Sequence, residues 1–146
     1  MALRVVRLGS PRHPDEGLRL GTVRRPPRGV KKENYARESY FDLWLPDLAP
    51  SAELFSWIHS KTGSGAAADT LPRQVWSTFS KRYEREMRAP QAQRLLALLA
   101  SLSKQTNISV GCYCQDESQC HRSVLKRLLE AEGAVLATDE KRSNTP

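Results

Sequence analysis

The stretch GCYCQDESQCHRS, residues 111–123, holds every cysteine of the chain beside a histidine and an arginine. Cys112, Cys114 and Cys120 fall within nine positions, and His121 and Arg122 follow directly. A thiolate is a nucleophile and a soft metal ligand. An imidazole moves protons near neutral pH. A guanidinium offers a two-pronged donor to phosphate or carboxylate. The cluster therefore admits three readings. It is a reactive thiol on an anion-binding turn, or a metal centre, or a set of cysteines packed as small hydrophobes. In the last case His121 bonds locally and Arg122 pairs with Asp116 or Glu117.

A strand–turn–helix unit has to position these residues. NISVGCYC, residues 107–114, reads as a strand with Ile108, Val110, Cys112 and Cys114 on one face and Ser109, Gly111 and Tyr113 on the other. Residues 118–133 read as a helix whose buried stripe is Val124, Leu125, Leu128 and Leu129, with Gly133 as its stop. Cys114 then ends a strand, while Cys120, His121 and Arg122 occupy the first helical turn. Ligands of open α/β sheets gather outside the carboxyl ends of strands. A helix N-terminus there supplies free N–H groups and about half a positive charge, which favours a bound anion or a Cys120 thiolate.

Two sharper comparisons fit less well. Cysteine phosphatases cradle phosphate between a Cys and an Arg spaced Cys-x5-Arg. Here Cys114 to Arg122 is Cys-x7-Arg, the intervening residues include no glycine, and Asp116 and Glu117 would repel a phosphate. Zinc would have to use the pattern C-x-C-x5-C-H, whereas structural sites commonly space cysteines C-x2–4-C. Neighbours Cys120 and His121 would both have to turn inward, which is awkward within a helical turn. No metal and no cofactor is assigned from the sequence, and a zinc-stabilised domain is kept as an alternative.

The rest of the chain supplies the scaffold. LRVVRL (3–8) and LRLGTV (18–23) read as strands, and YFDLWLPDLAPS (40–51) as an extended segment broken at Pro46. Ser51 is an N-cap for a helix with Leu54, Trp57 and Ile58 on one face. Residues 71–88 form a helix with a Val75, Phe79, Tyr83 and Met87 stripe, and residues 90–106 another, opened by Pro90. TGSGAAADT (62–70) reads as a mobile loop. The order of elements predicts an α/β fold: a single small domain with a central, mostly parallel sheet flanked by helices, spanning residues 1–137, and a flexible tail at 138–146.

Composition narrows the class. The chain of 146 residues carries a net charge of +7, and residues 1–35 hold nine Lys/Arg against three Asp/Glu. A basic block of this kind suits a phosphorylated small molecule or nucleic acid, and the alternative function is a nucleic-acid or protein binding module that uses this basic N-terminal face. RRPPRGVKKE (24–33) concentrates it in a proline-stiffened loop. No stretch approaches the roughly 18–20 apolar residues of a membrane span, so no membrane partner and a cytoplasmic location are expected. An odd, clustered set of cysteines argues against a secreted disulfide framework. Oligomeric state has no signature.

Four segments carry a family resemblance: PPRGVKKENY (26–35), WLPDLAPSAELFSWI (44–58), FSKRYEREM (79–87) and YCQDESQCHRSVLKRLLE (113–130). In this order they resemble the YeaO-like proteins, domain of unknown function 488. The resemblance implies a small cytoplasmic α/β domain of bacterial type with no established activity. The family pattern before Pro-Arg-Gly reads Asp-Arg-apolar-Trp, and here Val23 stands at the acid and Pro26 at the tryptophan.

The residues together predict an anion-binding pocket for a phosphate or nucleotide. Arg24, Arg28 and Lys31 of the basic loop and Arg122 of the helix start would bind the anion. Cys120, Cys114 and His121 are the candidate catalytic groups. Tyr35, Tyr40 or Trp44 would either stack on the ligand or pack in the core.

Overall fold

The computed structural model describes residues 1–62, 72–114 and 120–137. Most of the expected 62–70 loop, Asp116 and Glu117, and the 138–146 tail lie outside the described residues. Four strands, β1 (Leu3–Arg7), β2 (Leu18–Gly21), β3 (Leu43–Trp44) and β4 (Ile108–Cys112), form one sheet in the order β1-β4-β2-β3. Every pairing between them is parallel. The helices are α1 (Ala52–Thr62), α2 (Arg73–Glu86), α3 (Pro90–Ser103) and α4 (His121–Ala131).

The last strand inserts between the first two, so β4 is central and buried on both faces. Ile108 and Val110 enter the main core with Leu20, Leu54, Phe79, Tyr83, Leu125 and Leu129. Ser109 faces the other way and donates to the Glu16 carboxylate at 3.1 Å. The strand is shorter than 107–114. Its last paired residue is Cys112, opposite Arg7, where β1 also ends. Cys114 lies beyond it, exposed, because no neighbouring strand extends far enough to pair there. Similarly, the extended segment after Tyr40 is reduced to β3 and a 3-10 turn at Pro46–Leu48. The segment AVLAT contributes one bridge, Leu3 to Leu136.

Local signals place the helices. Ser51 accepts from the Leu54 amide at 3.1 Å, capping α1, and its own amide donates to Glu86 of α2 at 2.9 Å. Phe79, Tyr83 and Met87 are buried along one stripe. Tyr83 donates its hydroxyl to the Leu48 carbonyl at 2.6 Å, which satisfies its polar end inside the core. Tyr83→Phe is expected to cost about 1–3 kcal/mol, because the Leu48 carbonyl loses its donor; a urea denaturation midpoint measures it.

Arg19 is fully buried. It holds the Glu16 carboxylate through Nε at 2.6 Å and Nη2 at 2.8 Å. Its Nη1 donates to the carbonyls of Ser10 and Ser39. One guanidinium thus ties β2 to the loops on both sides. The basic N-terminal block is therefore not one solvated surface. Arg19 and Arg4 are buried, and Arg12 is paired with Asp42 at 3.0 Å.

Candidate functional site

The three cysteines and His121 converge at the carboxyl edge of the sheet. Cys112 ends β4, and Cys120 is the N-cap of α4 with extended backbone angles, φ −125° and ψ 150°. Its Sγ accepts from the Arg122 amide at 3.5 Å. Cys120 therefore stands outside the helix rather than in its first turn. Because its backbone is extended and that of His121 is helical, both adjacent side chains reach the same place. Sequence reasoning treated this convergence as awkward because it counted both residues as helical.

His121 is buried, and its Nε2 lies 2.7 Å from the Thr22 carbonyl. A carbonyl only accepts, so Nε2 carries the proton and Nδ1 presents its lone pair. Nδ1 lies 3.8 Å from Cys120 Sγ. Cys112 Sγ and Cys114 Sγ are 3.7 Å apart. The ring of Tyr83 meets His121 edge-on at 5.3 Å.

The electrostatics single out one sulfur. Burial opposes ionisation of Cys120, but hydrogen bonds with Cys112 and Cys114 and the adjacent His121 outweigh it and hold this thiol well below its usual range. The Cys114 bond pulls Cys112 down, yet bonding to Cys120 and burial push it up to about 12. Cys114 is raised by its bonds to Cys112 and Cys120 and by burial. Burial lowers His121, but the Cys120 charge and hydrogen bond raise it overall. Of the three thiols, Cys120 is thus the one whose thiolate its neighbours favour, with His121 beside it.

Two cavities meet here. The inner one, about 350 Å³, is floored by Cys112, Cys114, Cys120 and His121 and walled by Val23, Phe55, Ile58, Trp76 and Phe79, among others. The outer one, about 1170 Å³, is an open cleft between the Arg25–Arg28 loop, Tyr35, Tyr40, Tyr113 and the outer face of α1. Arg25, Phe55, His59 and Tyr113 line both, so the cleft and the thiol pocket are neighbours that share a wall. Tyr113 Oη donates to the Arg25 carbonyl at 3.0 Å and fixes the loop over the end of β4.

The expected site residues divide. Cys114, Cys120, His121 and Arg24 line the inner cavity, and Arg28 the outer one. Arg24 donates to the carbonyls of Pro50 at 2.8 Å and Pro46 at 3.2 Å, which anchors the loop. Arg122 is only 3% exposed and lines neither cavity. Its Nη2 donates to the Cys114 carbonyl at 2.6 Å, and its Nε has no partner among the described residues. It clasps the end of β4 to the start of α4. Lys31 is exposed and lines neither cavity. Trp44 also lines neither and donates to the Val23 carbonyl at 2.8 Å. Val23, where the family pattern has an acid, is buried beside Cys112 and Cys120. Arg25, Phe55, His59 and Tyr113 were not singled out by the sequence. Only the adjacency of Arg25 to Arg24 hinted at a role.

Fold and site define a parallel α/β domain with a cysteine–histidine cluster at the carboxyl edge of its sheet. The chain belongs to the domain of unknown function 488 family: residues 3–133 match the profile described as the active DUF488-N3 subclade. An uncharacterized protein of Mycobacterium tuberculosis and one of Mycobacterium bovis are each 27% identical over 127 residues, which covers 87% of this chain and 92% of theirs. No solved structure matches the chain. No helix among the described residues is long and apolar enough to cross a membrane.

Proposed function

We propose that the chain binds a phosphorylated small molecule, a mononucleotide being the best fit, and presents it to Cys120. The adjacency of the two cavities, which share Arg25, Phe55, His59 and Tyr113, carries this reading. Arg28 and Arg25 offer cations along the outer cleft, Tyr35 and Tyr40 line it as aromatic groups, and the sulfurs line the adjoining inner cavity. The inner cavity, about 350 Å³, lies within the roughly 300–1,000 Å³ usual for small-molecule pockets, and the outer cleft adds open space beside it. His121, with its Nδ1 toward Cys120, is placed to exchange a proton with that sulfur. Arg24 shapes the wall and Arg122 holds the end of the last strand to the helix behind it; neither touches the anion.

Calorimetric titration tests the binding step. A nucleoside monophosphate is expected to bind, and its nucleoside about 10-fold or more weaker, the scale of one charge-assisted hydrogen bond. Arg28→Ala and Arg25→Ala should weaken the phosphorylated ligand by about the same factor and leave the nucleoside unchanged. Iodoacetamide mass labelling of metal-free protein tests the presentation: Cys120 should be protected by bound monophosphate. Equal affinity for both ligands, or labelling of Cys120 that ignores the ligand, would overturn the reading. An oligonucleotide that outcompetes the mononucleotide, with binding that collapses as salt rises, would replace it with a nucleic-acid module.

A further inference from the structure

We infer that Cys112, Cys114, Cys120 and His121 form a binding site for one thiophilic divalent cation, with Zn2+ the ion that fits. The donor set is the first reason. Thiolate and imidazole ligands select zinc over hard cations such as magnesium or calcium. All three cysteines are free, so no disulfide removes a ligand.

The distances are the second reason. A tetrahedral zinc with Zn–S near 2.3 Å and Zn–N near 2.0–2.1 Å requires its ligands to stand about 3.8 Å apart for sulfur pairs and about 3.6 Å apart for sulfur and nitrogen. Cys112 and Cys114 have their sulfurs 3.7 Å apart, and Cys120 Sγ is 3.8 Å from His121 Nδ1. The donor atoms of Cys112, Cys120 and His121 lie within 4.8 Å of one another. The two closest pairs match edges of a coordination tetrahedron; Cys112, Cys120 and His121 are the gathered trio, and Cys114 adjoins it through Cys112.

The histidine supplies the third reason. Its Nε2–H donates to the Thr22 carbonyl, which locks the tautomer that turns Nδ1 toward the sulfurs. A metal-bound histidine is held in this manner, its second nitrogen donating to a carbonyl or carboxylate. Cys112, Cys120 and His121 are buried and fixed by β4 and the start of α4. Cys114 is exposed beyond the strand end, stands outside this trio, and is the exchangeable fourth ligand. Binding replaces each thiol proton with the metal and releases it to water. The inference does not need the outer cleft. It does claim Cys120 Sγ, so the loaded protein has no free nucleophile there.

Cobalt(II) titration of the reduced, metal-free full chain tests it. One equivalent should produce sulfur-to-cobalt charge-transfer absorption and the intense visible bands of a tetrahedral ion, both abolished by Zn2+. Cys112→Ser and Cys120→Ser should each weaken binding more than the 10–100-fold that loss of an outer-shell partner costs. Cys114→Ser should weaken it while keeping the tetrahedral spectrum, and unchanged affinity would remove Cys114 from the ligand set. Because a variant can fail to fold, the wild-type chain is also labelled with iodoacetamide, and one equivalent of Zn2+ should protect all three cysteines. Absence of sulfur charge transfer at one equivalent, or thiols that label equally with and without Zn2+, would overturn the site. Mononucleotide binding to metal-free protein is measured separately, so either reading can fail alone.

Discussion

Arg19→Met is expected to lower the folding stability of this chain by about 3–5 kcal/mol, the cost of removing one partner from a buried ion pair. Arg19 is fully buried and carries the Glu16 carboxylate on two nitrogens. Without the guanidinium, Glu16 is left charged in a low-dielectric pocket, where the Ser109 hydroxyl and the His13 amide still donate to it. The Ser10 carbonyl also loses its donor, and the Ser39 carbonyl keeps only the Gly9 amide, at 2.8 Å. Changing Glu16 to methionine as well should recover only part of the loss, since the Ser10 carbonyl stays without the Arg19 donor. Urea denaturation measures both, and an Arg19→Met midpoint equal to wild type would refute the role.

The same pair predicts the pH dependence. Burial raises Glu16, but the Arg19 hydrogen bond, the His13 amide and the Arg19 charge together hold it below the usual carboxylate range. A depressed folded value means that Glu16 stabilises the fold above its unfolded value, about 4.3, and that this contribution is lost as pH falls through the folded value. Asp42, lowered against its burial by Arg12 and the Arg19 amide, acts with the same sign. The wild-type urea midpoint should therefore drop as pH falls below about 4, and less steeply in Arg19→Met.

Gly17→Ala is the second large effect. Gly17 has φ +69°, and an added Cβ would sit 1.8 Å from the Asn107 carbonyl oxygen. That oxygen belongs to backbone leading into β4, so no side-chain rotation relieves the contact. Strain at positive φ costs about 1–3 kcal/mol, and overpacking against a fixed neighbour typically another 1–3 kcal/mol. Gly29 separates the two contributions: its φ is +73° and nothing lies within 4 Å of an added Cβ. Gly29→Ala should lower the melting temperature by only about 3 °C, against about 10 °C for Gly17→Ala. Equal shifts would mean that the β2–β4 approach is not limited at Asn107.

Much of the scaffold was legible because it depends on local periodicity. The Phe79–Tyr83–Met87 stripe, the Ser51 cap, Pro90 at a helix start and the Val124–Leu125–Leu129 face each follow from residues one or two turns apart. The strand–turn–helix unit was legible for the same reason, and so was the crowding of three thiols around it. The end of β4 was not. A strand stops where its neighbour stops, and β1 ends opposite Cys112, far away in the chain.

The sequence by itself determined which elements form and that cysteine, histidine and arginine would gather near one helix start, since helix and strand patterns are written within a few residues. Tertiary structure alone decided what those groups do. The Thr22 carbonyl that sets the His121 tautomer is a backbone atom 99 positions away. Arg25, not Lys31, lines the cleft, and Arg122 turns to the Cys114 carbonyl rather than to solvent. A backbone carbonyl carries no residue signature, and an arginine's partner depends on which distant segments the sheet brings together.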